Sequence, residues 1–483
     1  MRSTPDPSES STDDPESGSD RSTSTGPERT PVSRRTFLGR AAIGGLAAAG
    51  LPAVVSRTAA AVPRADEYGT VIDMVEEGAD DTGTESITPV LESVRGDDTL
   101  LYFPPGRYYM DSQFRYTGFE NVGVVGEDAT LVPATYYEFD GPQYRLFRLG
   151  TSSTPGRRIR FEGFEVDQTA PETGIRVVEA YAVDRLDIVD VRVRGVHDSG
   201  TFGPFLANVL GSDGTGLVEN VRAPDGGAWI DETPHTEPGG LRETRGPDGM
   251  LANQTEGTLR FKDCVIGGFP NHGLYASTSP GRIVVEGGHY SNSNPVSLRI
   301  GGTDSEVRSV TVEVDETRPQ DVSQRGIQVG NGNVTIRDAT VRITSPMPNS
   351  HAIAVLNSSS GTRIEGTRVE ISGDRPNSGI VISPDAGRTT IADTEILHDV
   401  PRGYPLWARG SGGDPLTCSH VRVTEETVID GSNDGVYCVE DGESIPSDPP
   451  ESDSSEEEPT EPDSSDESGQ PSDTDDDVCP TDL

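Results

Sequence analysis

The chain has 483 residues and a formal net charge of −42, with 81 acidic and 39 basic side chains. Nucleic-acid binding depends on clustered Lys and Arg that neutralise phosphates, so this composition argues against it. Lys262 is the only lysine. An acidic, lysine-poor surface is typical of a protein that stays soluble in concentrated salt, where the Debye length falls to roughly 3 Å at 1 M. A protein that is merely acidic, with an acidic tail, is the alternative.

The N-terminal region predicts export. Residues 1–32 are rich in Ser, Thr, Asp and Pro and are expected to form a disordered leader. Residues 33–61 follow the pattern of a twin-arginine signal peptide, with Arg34 and Arg35, a weakly apolar run and small residues suited to cleavage near Ala61. The apolar run has about 15 residues, fewer than the roughly 20 that span a bilayer. We therefore expect passage through the twin-arginine translocase, an extracellular or cell-surface location and no transmembrane segment.

Residues 441–483 have 17 acidic and no basic side chains and are expected to form a disordered acidic tail.

Residues 62–440 carry a repeated pattern. Eight residues of the form φ-x-φ-x-x-φ-x-φ, in which φ is apolar, recur at intervals of 22 to 30 residues, with one interval of 43. Its clear copies are IRFEGFEV (159–166), LDIVDVRV (186–193), LRFKDCVI (259–266), IVVEGGHY (283–290) and VTIRDATV (334–341).

Alternation of apolar residues within each copy is typical of a β-strand, and the doubled x marks a corner. Another short strand lies between copies, such as GLYA at 273, SLRI at 297 and GIQV at 326. A unit of three short strands cannot bury its apolar face alone, but stacked units form a continuous core. The sequence therefore predicts an all-β fold, a right-handed parallel β-helix of about ten rungs. In this register Cys264 points into the core, whereas Cys418 and Cys438 could form a disulfide or stay reduced.

The segment before the repeats carries a family resemblance. Within residues 66–132 it contains GADDTGTESITPVLESV, LLYFPPGRYYM and FENVGVVGEDATLV. An acidic loop followed by an amphipathic helix, with Ile87, Val90, Leu91 and Val94 on one side, resembles the N-terminal part of pectate-lyase-superfamily proteins, here of an exported, haloarchaeal type. The resemblance implies a β-helix over about 66–440, capped by this short helix. It implies no single activity, because the fold hosts lyases, hydrolases, epimerases, spikes and adhesins.

The middle residue of each GIxV-type strand is predicted to point outward. Tyr275, Arg299 and Gln328 occupy consecutive rungs and should lie about 4.8 Å apart along one face, and Trp407 lies further along the same row. An aromatic ring, a guanidinium and an amide suit an acidic sugar chain, because they can stack on a ring, grip a carboxylate and bond hydroxyls. We therefore predict that Tyr275, Gln328 and Trp407 bind substrate. An ordinary solvated sheet face is the alternative.

Loops that enter these strands supply further candidates. His272 lies in GGFPNHG, next to the predicted face, and the 43-residue interval contains an insertion of about 16 residues. A polar insertion on a rigid scaffold often forms one side of a binding site, so this loop is a candidate for substrate contact. A surface loop without a function is an alternative of equal weight. The candidates are Trp229 and His235 for substrate, with Asp231 from the insertion and Asp315 from a later loop for a metal ion.

Two mechanisms compete if the protein is an enzyme. β-Elimination of a uronate needs a base at the C5 proton and a cation that stabilises the developing enolate. We predict Arg299 and His272 as catalytic residues, with Arg299 as the base and Ca²⁺ held by carboxylates such as Asp231 or Asp315. Hydrolysis needs two carboxyl groups about 5–9.5 Å apart, and the polygalacturonase motifs that would supply them are missing. Among enzymes, a lyase is thus favoured over a hydrolase. The function that the sequence predicts is an exported, salt-adapted β-helix protein that binds an acidic polysaccharide or cell-surface glycan, with processing of that glycan left open. A non-catalytic, adhesin-like envelope protein is the first alternative, and a uronate polysaccharide lyase is the second.

Overall fold

The computed structural model describes residues 62–140, 144–198, 203–233, 246–321, 323–344, 347, 350–400, 403–408 and 416–423, and the backbone alone of 427–433. The predicted leader, signal peptide and acidic tail lie outside these residues, as do His235 and Cys438. The described residues belong to one compact unit, 59–483. They contain 33 strands and one α-helix.

The strands form three parallel ladders, which the long strands β6, β8, β9 and β32 connect by bending from one ladder to the next. Ladder 1 consists of β1 (Thr70–Asp73), β3 (Thr99–Phe103), the first part of β6 (Asn121–Pro133) and of β8 (Gly156–Asp167), the middle of β9 (Arg176–Arg194), β11 (Thr215–Glu219), β14 (Thr258–Lys262), β17 (Arg282–Glu286), β20 (Ser305–Arg308), β23 (Gly332–Arg337), β26 (Ser359–Glu365), β29 (Arg388–Ala392) and the first part of β32 (Leu416–Val423).

Ladder 2 consists of β2 (Thr82–Ser86), β4 (Gly106–Met110), the ends of β6, β8 and β9, β12 (Arg222–Ala223), β15 (Val265–Gly267), β18 (His289–Ser291), β21 (Thr311–Val314), β24 (Thr340–Ile343), β27 (Arg368–Ser372), β30 (Glu395–Asp399) and the end of β32. Ladder 3 consists of β5 (Phe114–Tyr116), β7 (Arg145–Leu149), the start of β9, β10 (Phe205–Val209), β13 (Met250–Leu251), β16 (His272–Ala276), β19 (Val296–Ile300), β22 (Arg325–Val329), β25 (His351–Val355), β28 (Ser378–Ile382) and β31 (Leu406–Ala408).

Equivalent residues of successive copies of the pattern lie side by side in ladder 1. Phe261 pairs with Val285, Val285 with Val307, and Val307 with Ile336, and none of these four side chains is exposed. Stacking of such residues builds the continuous interior that the repeat requires. The predicted all-β parallel β-helix is confirmed, with about 12 turns instead of about ten. The final strand β33 (Thr427–Asn433) differs, because it pairs antiparallel with β32.

The corner between ladders 1 and 2 lies at the doubled x of the pattern, as predicted. Its second position has a positive φ angle in successive turns, including Asp263 (52°), Gly287 (63°), Ser309 (53°) and Asp338 (54°). Asp, Asn, Ser and Gly tolerate this left-handed conformation better than branched residues do. Cys264, the next residue after the corner in its turn, is fully buried, which confirms its predicted place in the core.

One helix precedes the regular turns. It spans α1 (Thr88–Val94) and has a proline in its first turn, which a helix tolerates because the first N–H groups have no intrahelical acceptor. Ile87 and Leu91 are fully buried, and Val90 and Val94 pack against the core. The predicted apolar stripe is therefore the buried side of this helix. In the described part of the chain, no helix is both long and apolar enough to cross a membrane.

Candidate functional site

Ladder 3 carries the predicted row of outward side chains. In register order the row is Tyr275, Arg299, Gln328, Ala354, Val381 and Trp407. Its predicted alignment is confirmed. Towards the N-terminus the row continues through Leu251, Leu206, Glu179, Arg148 and Arg115. A second row, three residues earlier in each strand, contains Arg145, Arg176, His272, Arg325 and His351.

The first row is much less exposed than its outward direction predicts. Tyr275 is 5% exposed, Arg299 is 9% exposed and Gln328 is not exposed at all. These side chains pack closely: Cζ of Arg299 lies 4.9 Å from the centre of the Tyr275 ring, and Arg325 Nη1 donates a 2.9 Å hydrogen bond to Gln328 Oε1. The expectation of an open face is therefore wrong for these residues, because alternation shows which way a side chain points and not what packs on it.

His272 lies beside this row, at the start of β16, and Asp248 holds it. Asp248 Oδ1 accepts one hydrogen bond from the backbone N–H of His272 at 2.9 Å and another from Nδ1 at 3.0 Å. A carboxylate acceptor assigns the imidazole proton to Nδ1, which leaves the lone pair on Nε2. Arg299 Nη1 donates to that Nε2 across 3.3 Å. The rings of His272 and Tyr275 meet edge to face, with their centroids 4.8 Å apart.

These four residues bring together groups with complementary chemistry. An imidazole whose Nε2 is released from Arg299 can take a proton, a phenol can donate one, and a guanidinium can stabilise negative charge. The sequence predicted three of them, His272, Tyr275 and Arg299, but it did not predict that they touch one another. They do so because consecutive strands of a parallel ladder lie one spacing apart, about 4.8 Å.

Sequence reasoning missed two residues of this site, Asp248 and Arg325. Asp248 lies 24 residues before His272, which is one turn of the repeat, but the insertion that precedes it hides the period. Arg325 lies at the start of the strand GIQV and pairs in register with Val296. It could have been found by reading the position three residues before each outward residue. Gln328 Nε2, beside it, is buried and has no hydrogen-bond partner.

A buried cluster of charges lies toward the N-terminal end of the same ladder. Arg145, Arg148 and Arg176 converge on Glu179: Arg145 Nε donates to Oε2, Arg176 Nη1 donates to Oε2 at 2.6 Å, and Arg148 Nε lies 3.0 Å from Oε1. All four side chains are between 2% and 6% exposed. The contacts within this cluster were not predicted, because they depend on the register of strands separated by irregular loops.

The cluster shifts the ionisation of its members. Burial alone would raise the pKa of Glu179, but the guanidinium groups of Arg145, Arg176 and Arg148 hold it below its usual range. Burial lowers the pKa of Arg145 to about 10, although Glu179 opposes this shift. Burial also raises the pKa of the neighbouring Tyr181 to about 12. Glu179 is thus kept ionised within a cationic surrounding.

The inserted loop packs against a later loop through Trp229. Cζ of Arg318 lies 5.0 Å from the centre of the Trp229 ring, and Arg318 Nη1 donates to the carbonyl oxygens of Gly268 at 2.8 Å and Gly227 at 3.2 Å. Trp229 is 5% exposed, so it is a packed residue rather than an open platform. Gly268 is four residues before His272, so this contact supports the segment that leads into the candidate site.

The two predicted metal ligands lie on exposed loop positions. Asp231 belongs to a short 3-10 turn, and Asp315 accepts a 2.7 Å hydrogen bond from Asn292 Nδ2. Across the residues the structure describes, no group of three or more His, Cys, Asp or Glu side chains is arranged to hold a metal ion. The Ca²⁺ site therefore stays a prediction from the sequence.

Charge is distributed differently on the three ladders. On ladders 1 and 2 arginines pair with acids of neighbouring turns, as in Arg308 with Glu286 at 2.6 Å and Arg342 with Glu370 at 2.7 Å. Among the described strand residues of ladder 3, the two outward rows contain a single acid, Glu179, and six arginines: Arg115, Arg145, Arg148, Arg176, Arg299 and Arg325. A second acid, Asp248, lies just before β13. In a chain with a net charge of −42, this ladder therefore carries a local excess of arginine, of which Arg145, Arg148, Arg176 and Arg299 are buried.

Comparison with known proteins assigns no family to the chain. No protein-family model matches the chain, and no curated protein does either. Solved structures that match are right-handed β-helix proteins. The A-module of the mannuronan C-5 epimerase AlgE4 from Azotobacter vinelandii is 13% identical, with a TM-score of 0.45, over 71% of this chain and 98% of that one. The adhesin PfbA from Streptococcus pneumoniae is 12% identical, with a TM-score of 0.44, over 76% and 99%.

A third match is the catalytic unit of a family 87 α-1,3-glucanase from Streptomyces thermodiastaticus. It is 16% identical, with a TM-score of 0.44, over 74% of this chain and 68% of that one. The matches thus include an epimerase, an adhesin and a hydrolase. At this level of similarity none of them indicates which activity this chain has.

Proposed function

We propose that the protein binds an acidic polysaccharide along ladder 3 and removes the C5 proton of a uronate residue, as a polysaccharide lyase does. The observation that carries the proposal is the contact of His272 with Asp248, Tyr275 and Arg299 on the arginine-rich ladder of an otherwise acidic chain. Arg299 beside His272 favours an anionic ligand, and a β-helix offers an extended row of positions to an extended chain.

Arg299 recognises the carboxylate in this proposal. A guanidinium is planar and can donate two parallel hydrogen bonds to a carboxylate. The sequence suggested Arg299 as the base, but a guanidinium stays protonated in proteins, and here it donates to His272. Neutralising the uronate carboxylate with Arg299 makes the neighbouring C5–H bond more acidic, because negative charge that develops on removal of the proton spreads onto that carboxylate.

His272 takes the C5 proton. Its Nε2 lone pair is now bonded to Arg299 Nη1, so a substrate carboxylate that draws Arg299 toward itself also frees the base. The C5–H bond then breaks, its electron pair forms the C4–C5 double bond, and the C4–oxygen bond breaks. The departing oxygen takes a proton from the Tyr275 hydroxyl. His272 and Tyr275 return to their starting states by exchanging protons with water.

A glycan-binding protein without catalysis is the second candidate function, and it is favoured because it does not require a sugar to reach His272 and Tyr275. His272 is only 4% exposed and Tyr275 5%, so a sugar can reach them only if the atoms that cover them move. An adhesin-like role needs contact with accessible cations such as the exposed Arg115, but not the proton transfer. The two candidates therefore share a ligand class and differ only in chemistry.

The proposal also includes the cellular location and the salt adaptation that the sequence predicts. The chain is an exported, salt-adapted protein that acts at the cell surface after passage through the twin-arginine translocase. The charge pairs on ladders 1 and 2 and the net charge of −42 suit a medium in which exposed charges are screened. Ca²⁺ held by Asp231 or Asp315 is part of the sequence hypothesis, and the assay below includes it as a variable.

Product analysis by mass spectrometry tests the proposal. The protein is incubated in about 1 M salt with polygalacturonate, alginate and glucuronate-containing polymers, with and without Ca²⁺, beside a His272→Gln variant. Oligosaccharides with a 4,5-unsaturated end, formed by the wild type and not by the variant, are the expected result. Fragments that have gained water would overturn elimination. Intact chains that co-sediment with the protein would show binding without cleavage and would leave only the second candidate function.

A further inference from the structure

We propose that loops leading from ladder 2 into ladder 3, near the N-terminal end of the β-helix, form a second sugar site that takes an uncharged sugar ring on Tyr137. The site is separate from His272 and does not depend on the chemistry proposed there. An exposed aromatic ring that is held in place, with carboxylates and no arginine or lysine in the same loops, carries this inference.

Three loops on consecutive turns build the site. They are 134–144 after β6, 168–175 after β8 and 195–204 after β9. Hydrogen bonds join those of their residues that the structure describes. The backbone N–H of Tyr136 donates to the carbonyl oxygen of Glu172 at 2.6 Å, and Asp198 Oδ2 accepts from the backbone N–H of Glu172 at 2.6 Å. The three loops therefore form one connected surface.

Tyr137 is the most exposed large hydrophobic residue in the described part of the chain, at 68%. The residues around it are fixed. Phe139 is 6% exposed and packs in the core, and the ring of Tyr136 is stacked on that of Tyr144, with centroids 4.1 Å apart. The rings of Tyr136 and Tyr137 meet edge to face at 5.5 Å. Because a ring held in this way loses little conformational entropy when a ligand packs on it, Tyr137 is a preformed platform.

The exposed apolar surface continues along the axis of the β-helix. Ala170 and Pro171 on the next loop are exposed, and Val196 on the loop after that is 46% exposed. Tyr137 and Val196 are two turns apart, which is roughly 10 Å along the axis at about 4.8 Å per strand. Single exposed apolar residues are common on monomeric proteins, whereas a run of them over three turns is typical of a binding surface.

The charge of these loops determines which ligand fits. They contain no arginine or lysine and four acids, Glu138, Asp140, Glu172 and Asp198. Their one histidine, His197, is buried and hydrogen-bonded to Gln168. An aromatic ring packs on the apolar face of a sugar, and carboxylates accept hydrogen bonds from its hydroxyls. A uronate would bring its carboxylate to loops that supply no arginine or lysine to pair with it, which is unfavourable. An uncharged sugar therefore fits best.

A basic peptide is the other ligand that carboxylates attract, but two observations favour a sugar. Asp198 accepts hydrogen bonds from the backbone N–H groups of Glu172 at 2.6 Å and Gly174 at 2.9 Å, so both its oxygens are engaged within the loops. The remaining attraction of exposed carboxylates for a basic peptide is screened in concentrated salt. Packing of a sugar on Tyr137 is not screened.

Saturation-transfer NMR of the full-length protein in about 1 M salt tests the proposal. Maltohexaose, cellohexaose and mannohexaose are the uncharged probes, and hexagalacturonate is the charged one. We expect signals from at least one uncharged probe, retained in Tyr137→Phe and lost in Tyr137→Ala. Val71→Ala is the matched control, because Val71 on β1 is also an exposed apolar residue, at 38%, and should leave the signals unchanged. Since Tyr137 is exposed, both of its variants should unfold at the wild-type temperature, so that a lost signal reports binding.

The charged probe separates this site from the one at His272. Its signals should be the same in wild type and Tyr137→Ala, and if the function proposed at His272 fails, they disappear while the Tyr137-dependent signals remain. Signals of the uncharged probes that survive Tyr137→Ala, or no signal from any of the three, would overturn the site. Loss of the hexagalacturonate signal in Tyr137→Ala would overturn its preference for an uncharged sugar. Binding of hexalysine that Tyr137→Ala abolishes would assign the surface to a basic peptide instead.

Discussion

Asp248 accepts two hydrogen bonds from His272 through the same carboxylate oxygen, from the backbone N–H at 2.9 Å and from Nδ1 at 3.0 Å. The two bonds fix the ring with Nε2 directed to Arg299. This relationship sets which nitrogen of His272 would act as the base in the proposed reaction.

Asp248→Asn should therefore lower the rate of uronate turnover while leaving affinity nearly unchanged. An amide can accept or donate at this position, so it no longer selects the tautomer, and we expect kcat to fall by about 100-fold. Initial rates of unsaturated product and the Kd of a non-cleaved oligosaccharide measure the two effects. Asp338→Asn is the matched control, since Asp338 lies at a remote corner. A full rate in the Asp248 variant would remove His272 from the mechanism.

Arg299→Lys should weaken the binding of uronate oligosaccharides. Lysine keeps the charge but cannot form two parallel bonds to a carboxylate, and loss of one charge-assisted hydrogen bond corresponds to about 1.5–3 kcal/mol, or roughly 10- to 150-fold in Kd. Calorimetric titration with oligogalacturonate measures the change. Neutral dextran should show no difference between the two proteins, and an unchanged Kd for the acidic ligand would argue against carboxylate recognition by Arg299.

Glu179→Gln should destabilise the fold strongly at neutral pH. Removing one member of a buried ion cluster leaves the others without compensation, which costs about 3–5 kcal/mol of unfolding free energy. Denaturant unfolding of both proteins at pH 7 measures this difference. Arg363→Gln, which breaks an exposed pair, should change stability by less than about 1 kcal/mol.

The same substitution should alter the pH dependence of stability. The folded pKa of Glu179 lies below its usual range, so its stabilising contribution is complete above the unfolded pKa of about 4.3. That contribution is lost as the pH falls through the folded pKa. The difference in unfolding free energy between wild type and variant should therefore be largest near neutrality and shrink below about pH 4. A constant difference across this range would show that the ionised form of Glu179 is not what stabilises the cluster.

Cys264 should be unreactive in the native protein. Burial raises the pKa of its thiol to about 12, so at pH 8 the thiol is almost entirely protonated and does not act as a nucleophile. Alkylation of the native protein followed by peptide mass spectrometry should leave the peptide with Cys264 unlabelled, and alkylation in denaturant should label it. Labelling under native conditions would contradict its assignment to the core.

The corner at Asp338 should tolerate glycine and not valine. Its φ angle of 54° is the left-handed conformation, which costs a residue with a Cβ about 1–2 kcal/mol and a branched residue the most. We expect Asp338→Gly to unfold at the same denaturant concentration as the wild type or higher, and Asp338→Val to lose about 1–2 kcal/mol. Equal stability of the two variants would mean that the corner relaxes.

The interior of the β-helix and the row Tyr275, Arg299 and Gln328 could be predicted from the sequence, because stacked parallel strands place equivalent residues of each repeat side by side. The pattern was clear where the intervals were regular. Asp248 escaped prediction because the insertion before it breaks the interval, although the contact with His272 is the one on which the site depends.

The sequence by itself determined which side chains point inward, where the corners lie and which outward residues share a row, since these follow from the period of a strand and the length of a repeat. Only the tertiary structure decided that Arg145, Arg148 and Arg176 meet at Glu179, that Asp248 orients His272, and that Tyr275 and Arg299 are buried. Those features depend on which loops and side chains pack across turns, and no local period encodes such contacts.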